Sequence, residues 1–236
     1  IHGSDDILLV VIDAKTVEKY RWPWKRERYS ILYEFLNLAN AKIIIHDALI
    51  TTLDSQYPNS DKKYFKSVNK LKNLIVGFMP RPHKWENPKE GEVFETKFAK
   101  KFGLKVTDNT KMNTILYNSM LSMPDDYFNV IHNIGSVTIF PGFINGNISK
   151  WGIDEIYRNH EYIVRYKGNY YPSFALKTYL MLNNNPQIEL TNKELRFPEN
   201  NFKIKHKKTY YQTIVPFKFY KLYDTGYSHI NYSAVD

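Results

Sequence analysis

Two aspartates each close a run of aliphatic residues: Asp13 follows Ile7–Ile12, and Asp47 ends the segment Lys42–Asp47 with its three consecutive isoleucines. Open α/β sheets bind ligands just beyond the carboxyl ends of their strands. Two carboxylates at one such edge could hold a cation or a polar ligand. The simpler assignment is that each caps the turn or helix that follows it. Arg26 and Arg158 are the cations of most interest, because a planar guanidinium pairs a carboxylate through two parallel hydrogen bonds. The expectation is an internal pair of Arg26 with Asp13 or Asp47, with an anionic ligand as the alternative. Trp22 and Trp24 flank Pro23, which fixes the backbone between two large rings. Such rings stack on a planar ligand or, more commonly, close over a core. At least one is expected to lie largely buried beside the Arg26 pair.

Other chemistry is hard to assemble from these residues. His46-Asp47 is half a metal site, and metal chemistry needs three or more convergent ligands. The seven histidines are scattered with no His-x-x-x-His spacing, so His46 reads as a core or edge residue and no cofactor is expected. Zero cysteines exclude disulfides, thiolate zinc sites, iron–sulfur clusters and thiol nucleophiles. No glycine-rich dinucleotide loop, phosphate loop, Gly-x-Ser-x-Gly elbow or His-Glu-x-x-His is present. The strongest enzymatic rival is an Asp-dependent phosphoryl hydrolase built on Asp13. Its second carboxylate, expected two positions on, is Lys15.

The 236 residues suffice for one large α/β domain or two small ones. Hydrophobic residues make up 43% and aromatics 16%, so a core forms without metals or disulfides. The net charge of +9 raises the alternative of a basic nucleic-acid-binding domain. Yet Lys62, Lys63, Lys66, Lys70, Lys72 and Lys203, Lys205, Lys207, Lys208 are interleaved with acids elsewhere, and no nucleic-acid motif accompanies them. Solvated lysine faces are the expectation, with no nucleic acid as partner. The longest apolar run, Ile7–Ile12, is far short of the roughly 20 residues a membrane helix needs. A chain that opens on Ile1 and enters a strand-like run at once reads as part of a longer protein.

The elements that must position these side chains follow from periodicity. Residues 7–13 predict a buried strand, 26–41 a helix with Ile31, Leu32, Phe35, Leu36 and Leu38 on it, and 42–47 a second buried strand. Asp61 predicts the N-cap of a helix whose inner face is Tyr64, Phe65, Val68 and Leu71, and 73–79 a third strand. Strands alternating with helices, and aliphatic throughout, point to a parallel sheet covered on both faces. Residues 80–96 read as a charged, proline-rich surface excursion. Beyond it come a strand near 101–107, a helix at 125–131, a strand at 135–140 and a turn at Asn145-Gly146. A hairpin turning at 167–169, a helix at 173–182 and short strands over 187–232 complete the chain. The fold class is α/β, a central mostly parallel sheet flanked by helices with a strand-rich C-terminal region. One domain over 1–236 is expected, with a subdomain split near 145 as the alternative.

Taken in order, several segments resemble the CHASE2 family of bacterial sensor domains: the strand ending at Asp13, then Trp22-Pro23-Trp24-Lys25-Arg26, the strand ending at Asp47, and the Asp61 helix leading to Leu74–Phe78. Gly135–Phe140, Asp154–Arg158, Tyr171-Pro172-Ser173-Phe174-Ala175-Leu176 and Tyr227–Tyr232 continue the resemblance. Glu155 stands where the family's Asp-Gly-x-x-Arg segment has glycine, and the stretch from Pro80 to about Lys101 is longer and more charged than expected. The resemblance implies an extracytoplasmic, periplasmic part of an inner-membrane receptor, flanked by transmembrane helices of the same protein. An unknown small-molecule or peptide ligand, and an output module such as a nucleotide cyclase, histidine kinase, diguanylate cyclase or protein kinase, go with it. A homodimer in the full-length receptor is a further expectation, and this chain itself is expected not to be an enzyme.

Overall fold

The computed structural model describes residues 6–81, 88–108, 119–136, 159–191, 194–207, 210–213, 219–223 and 227–230. Three short parallel strands form the sheet at the centre of the larger core: β1 (Ile44–His46), β2 (Leu74–Phe78) and a strand at Asn133–Ser136, in the order edge, centre, edge. All five residues of β2 are buried. That is what a middle strand with both faces covered requires.

Helix α1 (Ala14–Tyr20) precedes α2 (Glu27–Leu38), which crosses over to β1, and α3 (Pro58–Lys70) crosses from β1 to β2. Proline opens α3, where its missing N–H costs nothing. Tyr64, Phe65 and Val68 of α3 are buried, and Leu71 just beyond it is too. Beyond β2 come β3 (Pro80–Arg81), α4 (Pro88–Phe102), β4 (Val106–Asp108), β5 (Ser119–Met120), α5 (Asp125–Val130) and β6, the Asn133–Ser136 strand already placed.

The C-terminal region begins with β7 (Asn159–Glu161) and the hairpin β8 (Ile163–Tyr166)–β9 (Asn169–Pro172). Val164, Tyr166 and Tyr171 join the larger core, whereas Ile163 and Tyr170 join a second one. The period-two alternation of a strand thus gives each core one face of the same ribbon. Ser173 caps α6 (Phe174–Leu182), accepting a hydrogen bond from Leu176 N at 3.2 Å. The second core is completed by a five-stranded sheet of β10 (Ile188–Leu190), β11 (Glu194–Phe197), β12 (Phe202–Lys207) and β13 (Tyr210–Thr213), with β4 parallel to β10 at its edge. Strands β14 (Phe219–Tyr223) and β15 (Tyr227–Ile230) pair with each other and with β7. The architecture is α/β, with a parallel sheet flanked by helices and a strand-rich C-terminal part.

Close packing leaves no room for a side chain at Gly135 on β6. A Cβ there would come within 2.7 Å of Phe174 Cα and 2.8 Å of Phe174 N. The glycine lets the start of α6 rest directly on the sheet.

Four expectations are corrected. Residues 7–13 form no strand: Ile7–Val11 are exposed, and Asp13 turns the chain into α1 instead. An aliphatic run becomes a strand only where a neighbour supplies backbone hydrogen bonds, and among the described residues β1 pairs with β2 alone. The core face of α2 is Tyr29, Ser30 and Tyr33, with Ile31, Phe35 and Leu38 exposed. Tyrosine displaces the aliphatic stripe because the large rings of Tyr29 and Tyr33 pack against His46 and Tyr64. Asp61 is not the cap of α3, whose cap position is Tyr57; it lies in the first turn and is buried. The supposed excursion of 80–96 is in good part helix α4, with Phe94, Phe98 and Phe102 four residues apart against the larger core. The turn at Asn145-Gly146 and residues 137–140 lie outside the described residues.

Candidate functional site

The polar centre of the described structure sits where α2 begins, at the carboxyl-end side of β1. Arg26 immediately precedes α2 and is pulled inward by Asp61. Its Nη1 donates to Asp61 Oδ2 at 2.8 Å and its Nη2 to the Thr52 carbonyl at 2.5 Å. Their side chains are only 13% and 5% exposed. Asp61 Oδ2 also accepts from Asp54 N at 2.7 Å, and Asp54 Oδ1 turns the loop by accepting from Gln56 N and Tyr57 N, both at 3.0 Å. Ser60 Oγ accepts from Glu27 N at 2.9 Å. One guanidinium therefore clamps the start of α2, the loop after β1 and the first turn of α3. Asp61 Oδ1 and Trp24 Nε1 are buried without a hydrogen-bond partner.

Beside this clamp, His46 is enclosed by rings. Tyr29 and Tyr33 of α2 lie 4.9 and 5.5 Å from the imidazole, centre to centre. Tyr64 Oη approaches His46 Nδ1 at 3.4 Å and Tyr127 Oη at 3.4 Å, which links α3 to α5. Burial disfavours the imidazolium and brings His46 down to about 4. The same burial pushes Tyr33, Tyr64 and Tyr127 well above the usual phenol range. At neutral pH the histidine and these phenols are all uncharged and far from titration. A general acid or base works best with its pKa near the operating pH, so the cluster packs the core and is not poised to move protons.

The expected site residues are only partly brought together. Trp24 is half-buried against the larger core, 5.7 Å from the Tyr29 ring. It is thus the tryptophan that lies beside the Arg26 clamp. Trp22 is 58% exposed, joined to Pro23 through a cis peptide. Asp13 is exposed and caps α1: its Oδ1 accepts from Thr16 N at 2.8 Å and Thr16 Oγ1 at 2.6 Å, which holds its carboxyl below the usual range. Asp47 is exposed as well. The expected pairing of Arg26 with Asp13 or Asp47 is therefore corrected to Asp61, because packing α3 against α2 sets its first turn opposite Arg26. Arg158 and its segment lie outside the described residues. Among the described residues no group of three or more His, Asp or Glu could hold a metal ion.

Sequence reasoning missed Asp61 as the partner and the tyrosine cage as the environment of His46. The four-residue spacing of Tyr29 and Tyr33 was visible, but aliphatic neighbours outranked it.

The family model for the CHASE2 domain matches residues 1–235. The chain belongs to the CHASE2 family. CHASE2 domains are extracytoplasmic sensor domains rather than catalytic ones, and membership supports a sensing role for this chain. Neither the curated proteins nor the solved structures gave a match. No helix among the described residues of this CHASE2 domain is long and apolar enough to cross a membrane. The Trp22–Arg26 element on which the resemblance to CHASE2 partly rested delivers Trp24 to the core and Arg26 to the clamp.

Proposed function

We propose that this CHASE2 domain is the periplasmic stimulus-sensing part of a bacterial inner-membrane receptor. It passes a ligand-dependent change to a cytoplasmic nucleotide cyclase, histidine kinase, diguanylate cyclase or protein kinase through flanking transmembrane helices. The observation that supports this reading is the family match across residues 1–235. The ligand is a small molecule or peptide, with Asp13, Trp22, Trp24, Arg26, Asp47 and Arg158 as candidate contacts. Sensing requires that the ligand prefer one of two arrangements of the domain. The Arg26–Asp61 clamp, which gathers two helices and a loop, is a place where such a preference would act.

The decisive experiment is to read the complete gene and map the topology of its product with reporter fusions. The reading requires apolar spans of about 20 residues on both sides and this domain outside the cytoplasm. A product that is wholly cytoplasmic, or that ends near Asp236 without a membrane span, overturns it.

A further inference from the structure

Large hydrophobic side chains exposed among the described residues are unevenly spread: of sixteen, fourteen lie between Ile7 and Tyr57. A concentration of that kind marks an interaction surface. Helix α2 shows it most clearly, being apolar on two sides. Tyr29 and Tyr33 face the larger core, while Ile31, Phe35 and Leu38, spaced as one helical stripe, are 63–81% exposed. A helix that is apolar all round needs cover on both sides. Among the described residues only the tyrosine side has it. The Arg28 guanidinium, one turn before Ile31, lies 4.3 Å from the centre of the Tyr20 ring. That contact joins the end of α1 to the stripe of α2, since residues three apart are neighbours on a helix. Tyr20 is itself exposed, as are Val17 one turn before it and Trp22 two residues after it.

The same stretch is strongly basic. Lys15, Lys19, Arg21 and Lys25 are exposed and Arg28 is half-buried. None of the five forms an ion pair with a carboxylate among the described residues. Three acids lie between Asp13 and Arg28. Asp13 is tied to Thr16 and Glu27 to Lys63, which leaves Glu18 to offset the cations.

We propose that the α1–α2 face lies on the surface of an anionic lipid bilayer. Ile31, Phe35 and Leu38 enter the boundary of the acyl chains, Tyr20 and Trp22 sit at the level of the headgroups, and the five cations meet lipid phosphates. Charge decides against the other occupants. A second copy would bring its own five cations against these. An apolar partner would leave the cations unmatched, and an acidic one would leave the stripe uncovered. An anionic bilayer supplies phosphates above acyl chains, and tryptophan and tyrosine favour the layer between them. Helices with aromatic and aliphatic side chains on one side and Lys and Arg beside them lie in that interface. Each cation near an anionic surface tightens binding roughly fivefold, while the apolar stripe holds the face against release. Such binding does not depend on the sensing role.

The test mixes the purified domain with vesicles of phosphatidylglycerol and phosphatidylcholine in equal parts, or of phosphatidylcholine alone, and sediments them. The domain should follow the anionic vesicles, come off as salt rises, and leave the neutral vesicles largely bare. Tryptophan emission should shift to the blue on binding, and Trp22→Phe should remove most of that shift. Phe35→Ser combined with Leu38→Ser, at exposed positions, should weaken binding about tenfold or more without changing the melting temperature. Lys15→Glu with Lys19→Glu should weaken it at least as much. Lys100→Glu with Lys105→Glu lowers the net charge equally at exposed positions outside α1 and α2, and should weaken it far less. Several results overturn the proposal: no binding to anionic vesicles, equal binding to neutral ones, or emission that does not shift. So do a stripe variant that binds as before, equal loss in both lysine pairs, and a lipid-free dimer that the stripe variant dissociates.

Discussion

Arg26 and Asp61 stand 35 positions apart in the chain and 2.8 Å apart in space. Each reaches the other from the start of its own helix, and the Thr52 carbonyl and Asp54 N–H complete the contact. A cation and an anion that are both mostly buried are mutually dependent. Removing one leaves the other desolvated without compensation.

Arg26→Ala should therefore destabilise the domain by about 3–5 kcal/mol. Combining it with Asp61→Asn should restore part of the loss, since the orphaned charge goes too. Chemical denaturation of the four members of this double-mutant cycle measures the coupling. A single-variant loss no larger than that of an exposed ion pair would show the clamp to be incidental.

Stability should fall in mild acid through His46. The imidazole of the unfolded chain takes up its proton near its ordinary value of 6.5, the folded one at about 4. Between those values the unfolded state holds more protons, so stability rises with pH. The contribution is complete above pH 6.5 and is lost as the pH falls towards 4. It amounts to about 3 kcal/mol at most. His46→Phe should flatten that slope while keeping the ring contacts with Tyr29 and Tyr33, as followed by urea midpoints at a series of pH values.

Gly135→Ala should cost about 1–3 kcal/mol, because the added methyl meets not only the Phe174 ring at 2.6 Å but also its backbone at 2.7–2.8 Å, which cannot swing aside. The expected result is a lower melting temperature and weaker amide protection at the start of α6. An unchanged melting temperature would mean that α6 can retreat from β6 freely.

The purified domain should hydrolyse no phosphoester, with or without divalent cations. Asp13, the residue an Asp-dependent hydrolase would use, is committed to Thr16 as a helix cap. Asp13→Ala should loosen α1, seen as faster amide exchange over Ala14–Tyr20, and leave the cores intact because α1 buries no residue. Turnover that vanishes in this variant would restore the hydrolase reading.

Much of this protein is written locally. The aliphatic run of β2, the four-three spacing of Tyr64, Phe65 and Val68, the Pro172-Ser173 start of α6 and the alternating β8–β9 ribbon are each marked by residues close together in the sequence. Periodicity reports them directly. Family membership was legible for a related reason, since it rests on ordered segments rather than on their packing. Partners across space were not legible. That Arg26 takes Asp61 over Asp13 or Asp47 depends on how α3 lies against α2, a choice set by ring packing among Tyr29, Tyr33, Tyr64 and Tyr127. Ile7–Ile12 makes the same point from the other side. Six aliphatic residues suffice to specify what kind of surroundings they need, but a strand exists only when another backbone offers its hydrogen bonds. Among the described residues no strand pairs with this run.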